Sequence, residues 1–151
     1  MKVVIQKVQK ASVLVEEQCV GAIDRGLLLL VGIAPDDNQA DIDFIARKVL
    51  QMRLFEDETG VMNKSVQEVD GQLLCVSQFT LLASTRKGNR PSYSQAARPE
   101  VALPLFNALV MEFEKGLGKP IPTGVFGADM QVQLVNDGPV TIILDSRDGR
   151  A

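Results

Sequence analysis

Residues 27–34, Leu-Leu-Leu-Leu-Val-Gly-Ile-Ala, carry no charge and no alternation. A half-exposed strand or a surface helix needs polar residues at a fixed period, so this run fits a strand covered on both faces. The fold must therefore supply a layer for each side. The run is far shorter than the roughly 20 apolar residues of a membrane helix, and Met1-Lys2-Val3 lacks the apolar stretch of a secretory signal. A chain of 151 residues can bury about 70% of its unfolded surface without disulfide or metal. One domain spanning 1–151 is expected, with no membrane contact and a cytoplasmic location by default.

Around that strand, segments 2–9, 12–15 and 19–23 read as further strands, separated by Glu16-Glu17-Gln18 and Asp24-Arg25-Gly26. After Pro35, the acceptors Asp36 and Asp37 suit a helix N-terminus. Ile42, Ile45, Ala46, Val49 and Leu50 then recur at helical spacing on one face. Strands are expected at 52–55 and 72–82, closed after the first by Asp57-Glu58-Thr59-Gly60. A second helix is expected over 99–115, burying Ala102, Phe106, Leu109, Val110 and Phe113; Pro104 moves its regular start toward Ala102 or Leu103, and Gly116 and Gly118 stop it. Segments 130–135 and 140–144 read as a hairpin joined through Asn136-Asp137-Gly138-Pro139, and 146–151 as a frayed tail. This order predicts an α/β fold of mixed sheets with the helices packed on one side.

The chain contains no histidine, which removes Ser-His-Asp and Cys-His triads, two-histidine zinc sites and any imidazole base. No metal or cofactor is expected. Cys19 and Cys75 have no C-x-x-C spacing and read as buried thiols of a reducing compartment. The formal net charge is -3, so nucleic-acid contact must be local. The one dense basic cluster is Arg86-Lys87-Gly88-Asn89-Arg90, with Arg98 following; it reads equally as a solvated loop.

Two segments stand out from the scaffold. Ser77-Gln78-Phe79-Thr80-Leu81 places two hydroxyls and an amide in an apolar strand. Either these groups bond back to nearby main chain, or they form a ligand site in which Ser77, Gln78 and exposed N–H groups grip a carbonyl or its oxyanion while Thr80 orients a reacting hydroxyl. Asn136-Asp137-Gly138-Pro139-Val140-Thr141 is either a plain turn or a kinked, rigid pair of carbonyls, since a Gly-Pro bond reaches the cis form at a cost of only about 0.5–1 kcal/mol. Glycine also has no Cβ to obstruct a ligand.

Together, in this order and spacing, the two segments resemble the signature motifs of the D-aminoacyl-tRNA deacylases. Ile5-Gln6-Lys7-Val8 with Ala11-Ser12-Val13, Arg90-Pro91-Ser92-Tyr93 and Phe126-Gly127-Ala128-Asp129-Met130-Gln131-Val132 extend the resemblance over the whole chain. It implies a single domain with a β/β/α layered, barrel-like core of largely antiparallel sheets and two main helices on one side. It also implies a homodimeric proofreading hydrolase that cleaves D-aminoacyl-tRNA, and glycyl-tRNA, at the ester to the terminal adenosine. A cis Gly138-Pro139 pair would enter the partner subunit's pocket, where its carbonyls exclude an L side chain. The aminoacyl group would lie against Ser77, Gln78 and Phe79, with Thr80 near the ester, the adenine near Phe126 and Met130, and the tRNA on Arg86, Lys87 and Arg90.

Attack by Thr80 would need a base that no histidine supplies. Water attack helped by the ribose 2′-hydroxyl is the favoured route over a weakly activated Thr80 nucleophile. Lys7 stands where the family leads one to expect arginine, whose planar fork an ammonium does not reproduce. Outside the family, a non-catalytic dimeric module that holds a small ligand remains a reading, as does a structural protein in which both segments are turns.

Overall fold

The computed structural model describes residues 1–150. Along the chain run β1 (Lys2–Val15), β2 (Gln18–Ile23), β3 (Gly26–Gly32), α1 (Gln39–Gln51), β4 (Phe55–Glu56), β5 (Met62–Lys64), β6 (Gln72–Ser77), a 3-10 turn at Phe79–Leu82, α2 (Pro99–Leu117), β7 (Gln131–Asp145) and a second 3-10 turn at Ser146–Gly149. β3 pairs antiparallel with β1 and parallel with β6. The run at 27–34 is thus a central strand. Leu27, Leu29 and Val31 join the core under the helices, and Leu28 joins a smaller cluster on the opposite face with Val8, Ala11, Val13, Ile23, Leu74 and Val76. The result is a mixed α/β domain: a curled, mostly antiparallel sheet in a half-barrel, with two helices packed together against one face. That is the layered architecture expected from the sequence.

β1 is one 14-residue strand where the sequence suggested two. Its first part pairs with β3 and its second with β2. Val3 and Ile5 face the helices and Val8, an even position, faces the other side; the irregularity between Val8 and Lys10 in the pairing with β7 then shifts the alternation, so that the odd positions Ala11 and Val13 join Val8 there.

The expected hairpin over 130–144 is replaced by a single 15-residue strand. Both halves of β7 pair antiparallel with the same neighbour: Leu14 to Lys10 of β1 face Gln131 to Val135, and Gln6 to Lys2 face Thr141 to Asp145. Residues 137–140 bulge out between the two stretches. A hairpin would require the halves to pair with each other, but β1 is long enough to pair with both. Asn136 clamps the base of the bulge, its Nδ2 donating to the carbonyls of Lys7 at 3.0 Å and Val140 at 3.1 Å.

Helix α1 buries the expected face, but its N-cap is Asn38, not Asp36 or Asp37. The Asn38 side chain accepts from the Ala40 amide at 2.9 Å, and Asp41 returns a bond to the Asn38 amide at 2.9 Å, a capping box. Asp37 instead accepts from the Ala34 amide at 2.7 Å and pairs with the Met1 amino group at 2.6 Å. Helix α2 begins at Pro99 and keeps Pro104 inside it; Val110 is only half-buried, and the helix ends at Gly118 with φ 68°. Of the expected strand at 52–55 only Phe55 belongs to a paired strand, its partner being β5, a strand the sequence did not announce.

Where a frayed tail was expected, residues 146–149 form the second 3-10 turn. Ser146 is buried, accepts from the Met1 amino group at 2.8 Å and donates to Asp41 at 2.6 Å. Arg150 donates to both Asp41 oxygens at 2.7 Å. Ala151, the end of the expected tail, lies outside the described residues. Cys75 is buried as expected, its thiol pushed upward by burial, whereas Cys19 is exposed on β2, the end strand of the sheet path. No helix among the described residues is long and apolar enough to cross a membrane.

Candidate active site

The strand expected over 72–82 stops at Ser77 because the chain turns there. The Gln78 amide still donates to Val31 at 2.7 Å, extending the pairing with β3 by one bond, before the chain folds into the 3-10 turn at Phe79–Leu82. Gly32 permits the close approach. A Cβ at that position would lie 2.5 Å from Leu82 Cδ2 and 3.0 Å from the Gln78 carbonyl oxygen, so any side chain would push the turn away from β3. The N–H groups of Phe79 and Thr80 open the turn and have no main-chain acceptor among the described residues.

A cavity of about 370 Å³ lies against this turn. That volume suits a small organic group. Val31 of β3 and Ile33 just beyond it line the cavity, with Ser77 at the end of β6, Gln78 and Phe79 at the head of the turn, Tyr93, Ala96, Ala97 and Arg98 ahead of α2, Pro99 and Ala102 in its first turn, and Phe126 and Gly127 from the loop before β7. The walls are mainly apolar. The Phe79 ring is 55% exposed and meets Tyr93 edge to face at 5.1 Å, leaving both rings accessible to a planar or apolar guest.

Ser77, Gln78, Phe79 and Phe126 thus come together at one cavity. Thr80 does not line it, but its Oγ1 accepts a 2.5 Å bond from Gln78 Nε2. With that lone pair engaged, the hydroxyl keeps its proton free to donate. Among the described residues, no group that could abstract the proton is bonded to it. Met130 does not line the cavity; it packs on the smaller core cluster, beneath Gly124.

Gly138 and Pro139 do not line this chain's cavity. They sit exposed at the tip of the β7 bulge, joined by a cis peptide, with Gly138 at φ 132°, a conformation reserved for glycine. Under the bulge, Lys7 is 3% exposed, with its Nζ 3.7 Å from Glu56, 4.0 Å from Asp137 and 5.5 Å from the centre of the Phe55 ring. This lysine therefore touches the bulge through the Asp137 carboxylate. Arg86, Lys87 and Arg90 are exposed on a loop closed by reciprocal backbone bonds between Ser84 and Ser92 at 2.8 and 2.9 Å.

Sequence reasoning missed the wall formed by Tyr93, Ala96, Ala97 and Arg98. The available signals were the chain's only tyrosine and an arginine where a helix start calls for a capping acceptor.

A profile of the D-Tyr-tRNA(Tyr) deacylase family matches residues 4–145. Proteins named D-aminoacyl-tRNA deacylase from Flavobacterium psychrophilum and Chromobacterium violaceum are 54% and 57% identical to this chain over 148 residues, covering 98% of it and 99% of each relative. Among solved structures, one titled c-Myc DNA Unwinding Element Binding Protein superposes with a TM-score of 0.90 at 42% identity, covering 96% of this chain and 98% of its own. A probable eukaryotic D-amino acid tRNA deacylase shares the fold, with a TM-score of 0.80 at 17% identity over 95% of this chain and 97% of its own.

Proposed function

The chain belongs to the D-Tyr-tRNA(Tyr) deacylase family and is a hydrolase of ester bonds, and from this premise we propose that it clears D-amino acids, and glycine, from the 3′-terminal adenosine of tRNA in the cytoplasm while sparing L-aminoacyl-tRNA. One observation carries the reading. Ser77 and Gln78 bring a hydroxyl and an amide to an apolar cavity at the head of a turn whose first two N–H groups, of Phe79 and Thr80, have no main-chain acceptor among the described residues, while the Gly138-Pro139 carbonyls that would bar an L side chain lie outside that cavity on an exposed bulge.

Two copies related by a twofold axis resolve that separation. Each bulge then closes the other's pocket, giving a homodimer whose sites are incomplete in one chain. A rigid wall discriminates by clash more sharply than added attraction does. The aminoacyl group lies against Ser77, Gln78 and Phe79, and the adenine toward Phe126, with Met130 behind that loop. The loop bearing Arg86, Lys87 and Arg90 meets the tRNA backbone, which fixes position without reading sequence.

For the chemistry, water attacks the ester carbonyl carbon and passes a proton to the ribose 2′-hydroxyl, which relays its own proton toward the neighbouring ester oxygen, and the carbonyl oxygen becomes an oxyanion stabilised by the Phe79 and Thr80 N–H groups. The C–O bond to the ribose then breaks, its electron pair staying on the ribose oxygen, which takes up a proton with help from the neighbouring 2′-hydroxyl. One preorganised donor of this kind is worth about 3–4 kcal/mol. An aminoacyl ester is already activated, so positioning and oxyanion stabilisation suffice. Lys7 steadies the bulge through Asp137.

The test is a chirality-paired assay with purified protein and no added metal. Tyrosine should leave D-tyrosyl-tRNA at least about 100-fold faster than L-tyrosyl-tRNA, the discrimination that a clash worth about 3 kcal/mol gives. Equal rates would overturn the reading, and tight binding of either without turnover would favour a non-catalytic ligand-binding module.

A further inference from the structure

We propose that Arg98 grips a phosphodiester at the tRNA 3′ end, so that this side chain makes the enzyme prefer an aminoacylated polynucleotide to an aminoacyl-adenosine. The inference rests on the function proposed above. Arg98 is the only charged residue among those lining the cavity, and among the described residues it forms no ion pair. It is exposed at the cavity wall.

Its place in the fold is costly for local structure. Arg98 holds the N-cap position of α2, with φ -69° and ψ 157° and no side-chain capping bond. Serine, threonine, aspartate or asparagine would cap the helix there, whereas a cation sits against the positive end of the helix dipole. A residue that breaks a local rule beside a cavity is best explained by a ligand. The ligand must be anionic. The ester end of an ordinary D-aminoacyl-tRNA carries an ammonium, so the anion comes from the polynucleotide, and a guanidinium can meet phosphate oxygens in a bidentate fork. The chain path agrees. The loop carrying Arg86, Lys87 and Arg90 is pinned shut at Ser84 and Ser92 and leads directly into Tyr93 and Arg98 on the cavity wall, so the cations follow one another along a single segment that ends at the pocket.

The experiment compares wild type with Arg98→Ser and Arg98→Lys on D-tyrosyl-tRNA, D-tyrosyl-adenosine and D-aspartyl-tRNA. Both variants are expected to fold, since serine restores a capping acceptor and lysine keeps the charge. Loss of one charge-assisted contact at an exposed rim should raise KM for D-tyrosyl-tRNA about fivefold to tenfold with little change in kcat. The penalty on D-tyrosyl-adenosine should be about twofold or less. The log–log salt dependence of tRNA binding should flatten by about 0.7, and Arg98→Lys should recover part of the loss. Equal penalties on tRNA and adenosine substrates, or none on either, would overturn the proposal. So would a loss confined to D-aspartyl-tRNA, which would assign the guanidinium to a cargo carboxylate. Binding of an uncharged oligonucleotide ending in CCA is read separately. If wild type releases no amino acid, the proposed function fails, and equal affinity of wild type and Arg98→Ser for that oligonucleotide would independently remove the role of Arg98.

Discussion

At Thr80, hydrogen-bond direction separates the two chemical routes. Gln78 donates to Thr80 Oγ1, which occupies one of its two lone pairs and leaves the hydroxyl proton with no bonded acceptor among the described residues, whereas a nucleophile needs a base to take that proton. Removing a neutral hydrogen bond costs about 0.5–1.5 kcal/mol, so Thr80→Ala should retain activity within about tenfold of wild type in kcat on D-tyrosyl-tRNA. A loss approaching 10⁶-fold, the order seen when a covalent nucleophile is deleted, would restore Thr80 as the attacking group. The motif at 77–80 was readable from residue types alone, because two hydroxyls and an amide are out of place in an apolar strand. The role of Gly32 was not: its constraint comes from Leu82 and the Gln78 carbonyl folding back over it, a contact between segments that no local pattern encodes.

Among the elements, the bulge of β7 is where sequence reading and structure part most clearly. Asn-Asp-Gly-Pro is good turn chemistry, and it does turn the chain, but local preference cannot tell a hairpin end from an excursion within a strand. The choice is made by β1, whose 14 residues offer a partner to both flanks. The helices were legible because their burial follows a 3.6-residue period, whereas the short pair β4 and β5 was largely illegible, since two or three residues carry no period. Asn136 is the bulge's keystone through its two bonds to the Lys7 and Val140 carbonyls. Asn136→Ala should lower stability by about 1–2 kcal/mol, read by urea denaturation. It should also narrow the ratio of D- to L-tyrosyl-tRNA cleavage, because the wall it steadies gains freedom to yield. An unchanged ratio in a destabilised variant would show that the two Asn136 bonds do not set the rigidity of the bulge.

For the whole molecule, acid should weaken the junction at which Met1 and residues 146–150 meet α1. Burial opposes the charge of Asp41, yet bonds from Ser146, Arg150 and the Asn38 amide outweigh it and hold its pKa at about 2, below the usual 3.8. A carboxylate with a depressed folded-state pKa contributes stability above its unfolded value and loses it as pH falls through the folded one. That contribution should therefore be complete above about pH 5, fall as pH drops through 4 to 2, and be gone only near pH 1. Asp41→Asn should be less stable than wild type at pH 7, and the two proteins' thermal midpoints should converge across that acid window; a constant gap would place the acid sensitivity elsewhere. The bulge has a different consequence at this scale. Because the stretches on either side of it are keyed to separate parts of β1, residues can be added to or removed from 137–140 without sliding either flank out of step. The register of the sheet thus leaves the length of the bulge open, and it is held instead by the Asn136 clamp on Val140 and the Lys7 contact to Asp137, so a change of length there would alter substrate range while the sheet stays as it is.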